Sequence, residues 1–187
     1  MKKVLQQFEY LIHDLKRWKC STVKDVFYYI FEQGIWVTIL YRIGRAFFLI
    51  EIPVIKIALR FLGFILMKFS EVVLGAAIKP GADIGPGLYI GHTGAIRIHP
   101  QAKIGKNLNI GTGVIIGEKG TGRGGFPKIG NNVYIGVGAK ILGDVNIGNN
   151  VKIGANAVVT KDIPAGATAV GVPAKIIKIE PDEEIVS

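Results

Sequence analysis

Between Ile78 and Val159 an aliphatic residue returns every six positions. One run is Ile78, Ile84, Ile90; the next is Ile98, Ile104, Ile110, Ile116; the last is Ile129, Ile135, Ile141, Ile147, Ile153, Val159. Glycine follows most of them, as at Gly85, Gly91, Gly105, Gly111, Gly117, Gly130, Gly136, Gly148 and Gly154. A period of six fits neither a helix nor a simple alternating strand. It fits a coil of short strands and corners stacked into a β-helix. The aliphatic side chain points into a narrow core. Glycine or asparagine (Asn131-Asn132, Asn149-Asn150) takes the corner, where a left-handed backbone is often required. Three hexads make one triangular coil, and stacked coils bury a continuous aliphatic column.

The period breaks twice. Ile90 to Ile98 is a slip of two residues, and between Ile116 and Ile129 lies GEKGTGRGGFPK. Five glycines in that segment cannot continue a coil face, so 117–128 is expected to leave the body as a loop. Upstream, residues 1–74 do not follow the hexad rule. Helices are expected at about 4–18, 22–33, 35–50 and 53–70, with Ser21 as an N-cap and Pro53 in the first turn of the last. The last two are strongly apolar yet carry Arg42, Arg45, Lys56, Arg60 and Lys68. Neither reaches an uninterrupted spanning length. Two readings follow for 35–70: a helical surface lying in a bilayer interface, or packing within a soluble oligomer. Glu9 and Asp14 interrupt the N-terminal apolar run, so no signal peptide is expected. The resulting division is 1–74 helical, apolar and basic; 75–177 β-helix; 178–187 acidic tail.

Composition sharpens this. The chain has 187 residues, a formal net charge of +9 and 49% hydrophobic residues. Mean hydropathy is +0.38. Residues 1–70 hold 11 Lys and Arg against 5 Asp and Glu, which concentrates the excess in the helices. An anionic surface or ligand is the expected partner. A nucleic-acid role is not expected, because no basic and aromatic residues interleave for base stacking. One cysteine, Cys20, rules out an internal disulfide and fits a reducing compartment. Three histidines, His13, His92 and His99, are badly spaced for a metal site, so none is expected.

IGHTGAI, IGEKGTGRGGFPKIGNNVYIGVGAKILG and IGANAVVTKDIPAGATAVGVPAKII resemble the acyltransferase body of serine O-acetyltransferases, over about Ala77 to Ile177. The resemblance implies a left-handed β-helix, three subunits side by side as a trimer or a dimer of trimers, and an active site between neighbours. It implies acetyl-CoA as donor. His92 falls on the catalytic histidine, where a neutral imidazole takes the proton of an attacking hydroxyl. Gly117, Gly136, Val137 and Ala155 fall on positions where the pantetheine arm approaches the backbone. Lys140, Lys161 and Lys175 are candidates for the CoA phosphates.

The departures concern the acceptor. The family's histidine-orienting aspartate is Ala77 here, the Asp before the histidine is Gly91, and Arg-His-Pro has become Gly125-Phe126-Pro127. A zwitterionic amino acid needs charged partners. Their loss points to a sugar hydroxyl, with Phe126 against the ring and His99 and Arg123 as further acceptor contacts. Such a chain resembles the subgroup associated with bacterial polysaccharide synthesis, whose sugar or lipid-linked sugar acceptors lie at the inner face of the cytoplasmic membrane. The alternatives are acetylation of L-serine for cysteine synthesis, and a non-catalytic β-helix scaffold. The family's terminal isoleucine, which enters cysteine synthase, is Ser187 here. His92 needs another orienting group, a backbone carbonyl or Glu118.

Overall fold

The computed structural model describes residues 2–18, 29, 31–120 and 124–180. The expected helix at 22–33, the Ser21 cap and most of the acidic tail lie outside the described residues. Among the described residues three helices precede the β body: α1 (Lys2–Lys16), α2 (Gln33–Phe48) and α3 (Ile55–Val73). Pro53 stands in a turn just ahead of α3 rather than in its first turn. From Ala76 to Ile179 the chain forms short strands β1–β15.

The strands stack into three sheets, ordered β1-β4-β7-β10-β13, β2-β5-β8-β11 and β3-β6-β9-β12-β14-β15. Every third strand joins the same sheet, which makes a triangular solenoid. Among the described residues all pairings are parallel except the closing one, between β14 (Ala167–Val170) and β15 (Lys175–Ile179). The hexad isoleucines are the ladder: Ile90 pairs with Ile110, Ile110 with Ile135, and Ile135 with Ile153. They and their equivalents form one buried core running the length of the body.

Both interruptions are absorbed at corners. The slip is taken up before β4 (Ile96–Ile98) by Gly94 and Ala95, both with positive φ (121° and 52°). The glycine-rich segment leaves after β7 (Ile115–Gly117), and the chain re-enters at β8 (Lys128–Ile129) in register with β5 (Lys103–Ile104). Asparagines hold another corner. Asn107, Asn132 and Asn150 have φ of 57–58°. The Asn107 amide donates to Asn132 Oδ1 (2.9 Å), and the Asn132 amide to Asn150 Oδ1 (3.0 Å). Each corner residue thereby satisfies the next coil as well as its own turn.

The helices attach through polar groups. Arg42 of α2 is fully buried. Its Nε donates to Asp14 Oδ2 (2.7 Å), and its other nitrogens reach the Ile84 and Gly85 carbonyls (2.7 Å each). Asp14 also accepts from the Gly87 and Leu88 amides (2.7 and 2.8 Å). Arg45 donates to the Pro80 and Gly81 carbonyls and pairs with Asp83 at 3.2 Å. This corrects the expectation for the first half of 35–70: the arginines of α2 face the β body, not a bilayer. A Cβ on Gly34 would collide with the Ile90 carbonyl, so α2 lies flush on the first coil. α2 and α3 cross at Gly44 and Gly63, where a Cβ on Gly63 would lie 3.4 Å from the Gly44 carbonyl. Among the described residues no helix is long and apolar enough to cross a membrane.

Candidate functional site

The expected site residues fall on two edges of one sheet. The first edge is the corner where the β3-β6-β9-β12 column gives way to the β1-β4-β7 sheet. Gly91, Gly111, Gly136 and Gly154 each follow a stacked isoleucine there. His92, Thr112, Val137 and Ala155 come next, one per coil. The Thr112 hydroxyl donates to the His92 carbonyl (3.4 Å), the Gly138 amide to the Thr112 carbonyl (2.7 Å) and the Asn156 amide to the Val137 carbonyl (2.8 Å). His92 therefore heads a column of small and medium side chains. It is exposed, and its imidazole has no hydrogen-bond partner among the described residues.

Gly136, Val137 and Ala155 are thus brought to the same edge as His92. Lys140 lies at that end of β10 and bonds the Gly138 carbonyl (2.9 Å). Lys161 and Lys175 are exposed further along the body. The stacking of the coils gives these glycines a reason of its own. A Cβ on Gly136 would meet the Ala155 amide at 2.7 Å, and one on Gly111 the Val137 amide at 2.8 Å. Coil stacking alone demands glycine there. Gly117 differs: its nearest neighbour would be His99 Cβ at an ordinary 3.6 Å, so space is free.

The second edge lies where that same sheet ends. His99 follows β4 and Gly117 closes β7. The loop returns so that Phe126 stacks on the His99 ring, with centroids 4.3 Å apart and planes 12° from parallel. The Gln101 amide donates to His99 Nδ1 (3.2 Å). In a neutral ring this leaves the proton on Nε2. Burial pushes the His99 imidazolium down from its ordinary range; nearby Lys79 adds to this and Glu118 opposes it. The ring is neutral at pH 7 and presents a donor.

A cavity of about 380 Å³ opens beside this pair, between the outer face of the sheet and α3. Phe64 and Met67 form its apolar roof. Ala77, Arg97, His99, Gly117 and Glu118 belong to its floor and rim. His92 does not line it. Within one chain Glu118 therefore stands by His99, at the edge away from that chain's His92. One Glu118 carboxylate oxygen, Oε1, is buried with no hydrogen-bond partner among the described residues. Arg97 pairs with Glu71 at 3.2 Å, and Lys68 pairs with Glu71 at 2.8 Å. Gly125 is pressed against Asp144, which a Cβ would meet at 2.6 Å, so no larger residue fits there unless Asp144 moves. Arg123 lies outside the described residues. No three-residue metal cluster occurs among the described residues.

Sequence reasoning missed Lys79 and Arg97 as neighbours of His99. The signal was present: Lys79, His99 and Gly117 each follow a hexad isoleucine of the same sheet.

Residues 126–161 match the family described as bacterial transferase hexapeptide (six repeats). Over 112 residues, 59% of this chain and 53% of the relative, the chain is 43% identical to the serine acetyltransferase of Staphylococcus aureus strain Mu50. Over 113 residues it is 39% identical to that of Helicobacter pylori strain J99, covering 60% of this chain and 66% of the relative. The chain spans about half the length of the first of these relatives. Among solved structures, Neisseria gonorrhoeae serine acetyltransferase in complex with serine superposes with a TM-score of 0.79 at 30% identity, over 95% of this chain and 72% of that one. The Brucella abortus enzyme in complex with coenzyme A gives 0.78 at 27% identity, over 94% and 68%. On this match of sequence, solenoid and helices together, the chain belongs to the hexapeptide-repeat transferase family, with serine acetyltransferases as its homologues.

Proposed function

We infer that the chain is an acetyl-CoA-dependent O-acetyltransferase with His92 as its base. The observation that carries this is the edge column: His92 heads a line of Thr112, Val137 and Ala155 in successive coils. An extended thioester donor laid along that line brings its carbonyl to the imidazole. The acceptor oxygen attacks the thioester carbon while His92 takes the hydroxyl proton. Collapse of the tetrahedral intermediate breaks the C–S bond. The imidazolium returns its proton to the departing sulfur, giving the O-acetyl ester and CoA thiol. Backbone amides of the corner stabilise the oxyanion. Gly117 and Lys140, Lys161 and Lys175 are donor contacts in this reading.

L-Serine is the first acceptor to consider, because the relatives are serine acetyltransferases and one structure holds serine. This reverses the preference drawn from sequence. A sugar hydroxyl is the second reading, favoured by Phe126, Gly125, Ala77 and Gly91 at positions that are polar in the resembling enzymes. Both place His99 and Phe126, and with them Arg123, at the acceptor.

A strand of three residues spans about 10 Å. The His92 edge and the His99 edge of one sheet are therefore too far apart for a small acceptor to touch both. Side-by-side subunits, in a trimer or a dimer of trimers, would bring one copy's His92 edge to its neighbour's His99 edge. The expected membrane contact narrows to the outward face of α3, with Lys56, Arg60 and Lys68 along it.

Thiol release from acetyl-CoA tests the reading. Wild type should release CoA with L-serine or with a sugar panel, and His92→Ala should reduce kcat by about 10²- to 10⁴-fold with little change in stability. No turnover with any acceptor and no CoA binding leaves only the scaffold alternative.

A further inference from the structure

The cavity beneath α3 carries three unspent polar functions. Glu118 Oε1 is buried without a donor among the described residues. A buried acceptor left unpaired is costly, and for a carboxylate the cost is larger still. A ligand that brings a donor, above all a cationic one, removes that cost. Facing it, His99 is fixed by Phe126 and by the Gln101 amide, so its Nε2–H is left to donate. Lys79 lines the same cavity and forms no ion pair among the described residues, whereas Arg97 is held by Glu71. Beside the ion pairs of Glu71 with Lys68 and Arg97, the cavity thus offers one further acceptor and two further donors, one of them cationic, under an apolar roof.

We propose that this cavity recognises a zwitterionic α-amino-acid acceptor, Glu118 taking its ammonium group and His99 with Lys79 taking its carboxylate. The inference rests on the L-serine reading above. It reconciles two facts that otherwise pull apart: relatives that are serine acetyltransferases, and a chain with Ala77, Gly91, Gly125 and Phe126 where those enzymes resemble one another in polar residues. Charge recognition has moved to other positions rather than vanished. A side chain at Gly125 would require Asp144 to move, and His99 stacked on Phe126 supplies a donor instead. A sugar offers hydroxyls but no ammonium, so it would leave the Glu118 charge uncompensated.

The test uses the full chain, acetyl-CoA, and two acceptors that differ only in the ammonium: L-serine and 3-hydroxypropionate. Wild type should prefer L-serine. E118Q keeps the shape and a hydrogen-bond acceptor but loses the charge. Its KM for L-serine should rise about 10- to 100-fold, with kcat changed far less, and its preference over 3-hydroxypropionate should fall by a similar factor. K79Q should raise KM for both acceptors alike. A folding defect would not alter the ratio of the two acceptors, so the ratio is the deciding readout. An unchanged ratio in E118Q, with wild type active on L-serine, overturns the assignment of the cavity and leaves the serine reading intact. No wild-type turnover of L-serine overturns both.

Discussion

α2 and α3 look alike as sequence: each is apolar, and each carries two or three basic residues. In the structure they do opposite things. α2 turns Arg42 and Arg45 inward, and both are consumed by Asp14, Asp83 and the carbonyls of the first coil. α3 turns Ile57, Phe61, Phe69 and Val72 outward, and its cations stay at the surface with Glu51 and Glu71. Apolar and basic composition therefore does not by itself mark a lipid-facing helix. What separates the two is whether buried acceptors exist for the cations.

The sharpest way to break the comparison is Arg42→Met. It leaves the Asp14 carboxylate buried, with the Gly87 and Leu88 amides as its remaining hydrogen-bond donors among the described residues. Burial already pushes that carboxyl up, against the pull of Arg42 and the two amides. We expect a loss of about 3–5 kcal/mol in denaturant unfolding. The double change with Asp14→Asn should recover part of that loss. Equal losses in the single and double variants would show that the pair is not the anchor.

A smaller effect comes from Tyr41 on the same buried face, whose hydroxyl donates to the Ala82 carbonyl (2.9 Å). Burial pushes its phenol up to about 12. Between pH 10 and 12 the unfolded chain releases this proton and the folded chain keeps it, so stability falls as pH rises through that window and is intact below it. Tyr41→Phe should flatten the decline between pH 10 and 12, measured by thermal unfolding. A decline of unchanged slope would assign it to other groups.

The smallest effect on stability is expected from α3. Phe61→Gln on its exposed face should change unfolding by under about 0.5 kcal/mol. It should nonetheless weaken flotation of the chain with anionic vesicles at low salt. Unchanged flotation would remove the bilayer contact from this face.

The β body was legible in the sequence because its rule is local. A hexad isoleucine needs only its neighbours in chain order to be assigned inward, and both interruptions could be located as departures from a count. The inward face of α2 was not legible, because its reason lies 28 residues upstream at Asp14 and 42 downstream at Ile84. His92 could be placed on a corner from spacing. The meeting of His99, Phe126 and Glu118 could not, since it depends on how the loop returns.

The corner at which the loop departs separates length from phase. β7 pairs with β10 (Lys140–Leu142) and β5 with β8 as though nothing intervened, and just ahead of β8 the Pro127 carbonyl already accepts from the Lys103 amide (3.1 Å). A solenoid built this way behaves like a rack with an open bay. A segment of another length can be fitted between those two strands without re-registering any coil above or below. The body that carries His92 and the insert that carries Phe126 are then separable parts, and one can be exchanged while the other keeps its place.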